Sequence, residues 1–237
     1  MNKYILKLLI VVKVVALSSS VYAGAIKSQG TAGATQLLIP AGSMNLALGN
    51  ASVSVSSGVN AMFINPAGTA AMDASGQLLV SDMTYIADIG VSFAGLVTKL
   101  GDAGTFGLSV KSLDFGDIPV TTASETDGTG ATYSPSFMTI TGNYGRAYAD
   151  NVRFGVNLKY VSETILSTSA TGMAADFGVQ YEFKELPVSI GVALKNLGGR
   201  MTYNGSDLEQ NLVPEGSESG ALSERFRIQA QSFELPA

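Results

Sequence analysis

The sequence predicts an all-β protein, a transmembrane antiparallel up-and-down β-barrel in which about eight strands are read, preceded by an irregular N-terminal segment. Three observations lead there. From Gln77 onward apolar and polar residues alternate with period two in long runs. Connections alternate as well: short turns at 101–104, 149–151 and 184–187, long polar loops at 116–133, 164–170 and 198–223, the asymmetry of a membrane barrel. The chain is 46% hydrophobic and only 14% charged, yet lacks any uninterrupted apolar run of about 20 residues, so its apolar content suits amphipathic strands better than spanning helices. A secreted β-sandwich would also alternate. However, the run 151–163 exceeds the usual strand of about 5–6 residues and matches the roughly 9–11 tilted residues that cross a bilayer. Tyr160 near one rim and Tyr181 and Phe183 near the other suit interfacial girdles.

Residues 1–23 have the layout of a secretory signal. Lys3 and Lys7 precede the apolar runs 8–12 and 14–17, which Lys13 interrupts, and Ser18-Ser-Ser-Val-Tyr-Ala23 supplies small residues before a cut after Ala23. With that segment removed, 14 less these three lysines leaves 11 basic against 19 acidic residues, a net charge of −8. Nucleic-acid binding is therefore not expected. The expected location is the bacterial outer membrane, reached by export through the inner membrane.

Residues 24–76 read as one irregular, tightly turning segment. Residues 43–48 form a brief helix with Met44 and Leu48 on one face and Gly49 as its left-handed stop. Residues 51–55 alternate and Ser56-Ser-Gly58 turns. In Asn65-Pro-Ala-Gly68, the proline pushes Asn65 out of the α region, so that its amide caps the following turn. Pro66 fits the first helical position, Ala67 and Gly68 continue the turn to Met72, and Asp73-Ala-Ser-Gly76 breaks it.

Strands are expected near 77–86, 88–99, 104–115, 134–149, 151–163, 171–184, 187–197 and 224–233. In the fifth, Val152, Phe154, Val156, Leu158 and Tyr160 alternate with Arg153, Gly155, Asn157 and Lys159. The same alternation places Lys111, Arg153, Lys159, Asp176, Glu182 and Lys195 on the lumen side as candidate polar residues. Asp176 is the sharpest of them, expected either to accept backbone N–H groups of the segment 24–76 or to be neutralised by Lys159 or Arg153.

The chain has neither cysteine nor histidine. Disulfides, thiolate metal sites, an acylated lipoprotein N-terminus and every His-dependent triad are thereby excluded. Gly-x-Ser-x-Gly and phosphate-binding glycine loops are also missing. No enzymatic activity, cofactor or metal is expected.

Several motifs together resemble one family. They are Gln36-Leu-Leu-Ile-Pro40, Leu46-Ala-Leu-Gly-Asn50, Asn65-Pro-Ala-Gly68, Phe115-Gly-Asp-Ile-Pro-Val-Thr121, Gly155-Val-Asn-Leu-Lys-Tyr160, Ala175-Asp-Phe-Gly178, and Asn196-Leu-Gly198 followed by Tyr203-Asn-Gly205. In these the chain resembles, nearly end to end, the PorV/PorQ family of outer-membrane barrels, relatives of the FadL transporters. The resemblance implies roughly fourteen strands closed around a lumenal hatch. About six are then missing, and the barrel is expected to be incomplete at the C-terminus, since Leu235-Pro236 looks like the approach to another strand. Two departures stand out: Ser56-Ser-Gly58 where relatives often carry acids, and no terminal aromatic residue. Two functions are implied. One is a protein-binding accessory of type IX secretion, with other secretion components or exported proteins as partners beside outer-membrane lipid. The other is FadL-like passive transport of hydrophobic small molecules.

Overall fold

The computed structural model describes residues 32–212, 224–227 and 232–236. The signal expected over 1–23 lies outside them. Seven long strands follow one another: β1 (Gly76–Thr84), β2 (Gly90–Lys99), β3 (Thr105–Asp114), β4 (Ser136–Ala149), β5 (Val152–Ile165), β6 (Thr168–Glu182) and β7 (Ser189–Gly198). Each pairs antiparallel with the next, which makes a plain meander. The two-residue strand Asn204–Gly205 continues the β7 side of β6, pairing with Ser169 and Thr168, and completes an eight-stranded sheet. Among the described residues the sheet does not close, because β1 is bonded to β2 alone.

Period-two alternation sets the register and divides the sheet into two faces. The inner face receives the segment that precedes β1. The outer face is apolar along most of the meander: Leu78 and Val80 on β1, Leu108 on β3, Leu158 on β5 and Met173 on β6 all stand exposed. Aromatic pairs Phe106–Tyr144, Tyr148–Phe154 and Tyr181–Phe183, with ring centroids 5.0, 6.3 and 4.8 Å apart, gather at the rim of the turns 100–104, 150–151 and 183–188.

Two helices precede the sheet, α1 (Ser43–Ala47) and α2 (Gly58–Ile64), and a 3₁₀ turn, Pro66–Ala71, follows α2 directly. Met62 and Val59 of α2 bury against Phe93 and Val97 of β2. A second inner cluster joins Leu37 to Val161, Ala170, Met201 and Leu235.

Several expectations are corrected. The long loop expected over 164–170 is a two-residue turn, Leu166-Ser167, with β5 and β6 running to its edges; Leu166 takes the left-handed φ of 53° that such a turn demands. Thr164, Ile165 and Thr168 are β-branched and favour extended backbone, so the polar stretch extends the hairpin. On α1, Met44 and Leu48 are exposed and Asn45 is buried instead, donating to the Ala41 and Asn60 carbonyls at 3.1 and 3.0 Å. A helix of five residues has room for one inward position, and the polar side chain takes it because two orphan carbonyls need a donor. Residues 51–55 alternate but form no strand: residues 53–55 are a turn in which the Val55 N–H donates to the Ser52 carbonyl at 3.1 Å. The strand expected over 224–233 is not a meander strand: Glu224–Arg227 pairs with Glu209–Leu212, and Ser232–Glu234 with Arg200–Thr202. Leu235, expected to lead into a further strand, is buried in the second inner cluster.

Candidate functional site

The centre of the inner face is the meeting of Asn65-Pro66 with β5, β6 and β7. Asn65 caps the 3₁₀ turn as its position before proline requires, its Oδ1 accepting from the Ala67 N–H at 3.2 Å. Its Nδ2 reaches outward, donating to the carbonyls of Val53 at 2.8 Å and Val179 at 3.1 Å, with that of Val192 at 3.4 Å. One buried amide thus satisfies its own turn and ties it to the sheet.

Contact this close needs a floor without side chains. Gly145 pairs with Gly155 and Gly155 with Gly178, so three adjacent strands carry glycine at one level on the inner face. A Cβ on Gly155 would fall on the Pro66 carbonyl group, and one on Gly178 on the Asn65 amide and the Pro66 ring. Glycine is used here for approach, not for turning.

One step along the strands the floor becomes polar. Asn143, Asn157 and Asp176 are direct cross-strand neighbours. Asn143 Nδ2 donates to Asn157 Oδ1 at 2.8 Å, and Asn157 Nδ2 donates to Asp176 Oδ2 at 2.8 Å and to the Met62 carbonyl at 2.7 Å. Lys159 Nζ pairs with Asp176 Oδ2 at 2.7 Å and donates to Asn196 Oδ1 at 2.8 Å. Asp176 Oδ1 accepts the backbone N–H of Asn196 at 2.8 Å. That N–H is exposed by a β-bulge: pairing jumps from Ala175↔Leu197 to Phe177↔Leu194, and Asn196 sits at φ 58°. The motifs Ala175-Asp-Phe-Gly178 and Asn196-Leu-Gly198 therefore meet, carboxylate to bulge. With each carboxylate oxygen bonded and a cation beside it, burial of Asp176 is offset.

The strands hold the N-terminal segment chiefly by side-chain donors aimed at its carbonyls. Lys111 Nζ binds those of Gln36 and Ile39 at 2.6 and 2.8 Å. Gln180 Nε2 binds those of Val53 and Ser56 at 3.2 and 3.0 Å. Thr105 Oγ1 reaches Thr69 Oγ1 at 3.2 Å. Lys111 and Lys195 also approach the Phe63 ring, at 4.9 and 4.1 Å from its centroid.

The structure joins Lys159 and Asp176 in one buried pair, sets Lys111 and Lys195 beside Phe63, and lays Asn65, Pro66 and Ala67 over the glycine floor with Gly68 beside Gln180. It sets two candidates apart. Arg153 pairs with Glu182 at 3.2 Å near the short-turn rim, away from Asp176, which is neutralised by Lys159. Asp176 takes its backbone N–H from β7, not from the N-terminal segment, because a carboxylate at that level faces the bulge. Sequence reasoning missed Asn143, Asn157, Gln180 and Asn196. Their signal was available as amides at inward positions of an alternating strand, where a merely wet wall has no need of a two-sided donor and acceptor. Lysines were singled out for charge, while Lys111 and these amides all donate to carbonyls. Comparison with protein-family models and with curated proteins finds no match to this chain.

Proposed function

We propose that this chain is an outer-membrane β-barrel component sealed by its N-terminal hatch, serving as a protein-binding accessory of type IX secretion in the manner of the PorV/PorQ proteins it resembles. The observation that carries the membrane reading is the inversion of its faces. Large apolar side chains stand exposed on the outside of the sheet, while Lys111, Asn143, Asn157, Lys159 and Asp176 are buried inside. Water would penalise that outer face, whereas hydrocarbon would favour it. The aromatic pairs at the short-turn rim suit an interfacial girdle. Strands of 14, 14 and 15 residues in β4, β5 and β6 exceed the roughly 9–11 residues needed to cross. Closure of the wall would need partners for the free side of β1, since lipid-facing backbone must be paired.

The anchoring of the hatch favours an accessory over an open conduit. Donors from β3, β4, β5 and β6 hold it, and a passive path would have to break them each time. Leu158→Arg tests the membrane reading. The side chain is 67% exposed. In water the change would be nearly neutral; at a bilayer midplane it costs about 2–4 kcal/mol, read as loss of membrane-assembled protein. Deleting the gene in its own host tests the function: retention of exported proteins is expected, and loss of hydrophobic-solute uptake with intact export decides for the conduit.

A further inference from the structure

Lys111 presents an unbalanced charge. It is buried at 5% exposure, and the partners it holds, the Gln36 and Ile39 carbonyls, are neutral. Lys159 shares a small cavity with it and Lys195 faces the same Phe63 ring, and both are cations. Asp176 is already shared between Lys159, Asn157 and the Asn196 N–H. A buried ammonium without a counter-charge is costly.

That cavity, of about 20 Å³, is lined by Lys111, Lys159, Ser109, Thr139 and Thr141 and, on its apolar side, by Phe63 and neighbouring side chains. That volume accepts one water-sized particle. Thr139 Oγ1 is buried there with no hydrogen-bond partner. Each lysine makes two hydrogen-bonded contacts to protein oxygens and keeps a third N–H, and each hydroxyl can donate one more. The walls therefore converge donors and positive charge on a space of atomic size, with no acidic side chain bounding it among the described residues.

We propose that this cavity is a binding site for a single monatomic anion of halide size, held between Lys111 and Lys159 by their ammonium groups and the Ser109, Thr139 and Thr141 hydroxyls. The anion supplies the missing counter-charge and locks the strands to the hatch through Lys111. The size of the space selects against polyatomic anions.

Bromide is the probe. The full chain, purified in detergent, is titrated with sodium bromide against sodium gluconate at constant ionic strength while thermal unfolding is followed, and crystals grown in bromide are measured at its absorption edge. A saturable rise in melting temperature specific to bromide, with an anomalous peak between Lys111 and Lys159, is expected. Superimposable bromide and gluconate series, or a peak elsewhere only, overturn the proposal. Lys111→Met should abolish the bromide effect, but it also cuts two contacts to the hatch and its fold is at risk. Thr139→Val leaves those contacts intact and should raise the half-saturating bromide concentration by roughly tenfold or more, the worth of one hydrogen bond to a charged group. An unchanged bromide response in Thr139→Val removes the hydroxyl cradle and with it the proposed site.

Discussion

Asn65 and Val179 are joined by a hydrogen bond of 3.1 Å across 114 residues of chain, from a helix cap to a strand backbone. The same amide caps its own turn, so one side chain carries local and long-range order together. Asn65→Ala removes both. The cap alone is worth about 0.5–2 kcal/mol, and an unpaired buried carbonyl costs about 1–3 kcal/mol. Faster proteolysis within residues 50–75, with the strands still protected, is the expected outcome.

The glycine floor makes a sharper test. Gly155→Ala would place a methyl group on the Pro66 carbonyl, whereas a Cβ on Gly142, on the outer face of the neighbouring strand, meets nothing within 4 Å. Overpacking of this kind costs about 1–3 kcal/mol, and a free position shifts stability by no more than about 0.5 kcal/mol. Gly155→Ala should therefore loosen the hatch and raise small-solute passage in liposome swelling, with Gly142→Ala equal to the parent. Equal behaviour of the two variants would remove the close-approach argument.

Breaking the Lys159–Asp176 pair should be worse than deleting it. Both side chains are buried, at 5% and 0% exposure. Asp176→Asn alone leaves a buried ammonium, at a cost of about 3–5 kcal/mol. Lys159→Met with Asp176→Asn should recover part of that loss. Denaturation of Asp176→Asn, Lys159→Met and the double variant checks it, and strict additivity would mean that the two charges do not interact.

A weak pair at the rim gives a pH prediction. The Lys184 ammonium, 2.9 Å from Asp150, holds that exposed carboxyl below the usual carboxylate range, first by the hydrogen bond and then by charge. A depressed folded value adds stability that is present above the unfolded carboxylate range and lost as pH falls through the folded one. Lys184→Ala should move the Asp150 titration up toward its ordinary value, as read by carboxyl NMR shifts. Stability at neutral pH should hardly change, because both partners are solvent-screened.

Strand positions were legible because period two is a local signal. β5 and β6 could be read within a few residues, and so could Asn65-Pro66, whose cap follows from proline alone. The turn at Leu166-Ser167 was not, since polar residues serve equally in a loop and on the outer rim of a long hairpin. Asn157 was placed on the correct face but not in its role. What it does depends on Asn143, Asp176 and the Met62 carbonyl, which only strand pairing and the docked segment bring together. The burial of Met201 and Leu235 was equally hidden, because they pack beneath Tyr203 through strand pairs too short to show a period.

The glycine floor also orders events in time. Residues 53–69 leave the ribosome before every strand that receives them, yet Gly145, Gly155, Gly178 and Gly191 must be paired before their surface exists. Contacts such as Gln180 to Val53, separated by 127 residues, carry a closure entropy that no early local structure offsets. The segment made before these strands thus docks only after they have paired. Until then Met62 and Phe63 lack the cover that Phe93 and Val97 give them in the fold.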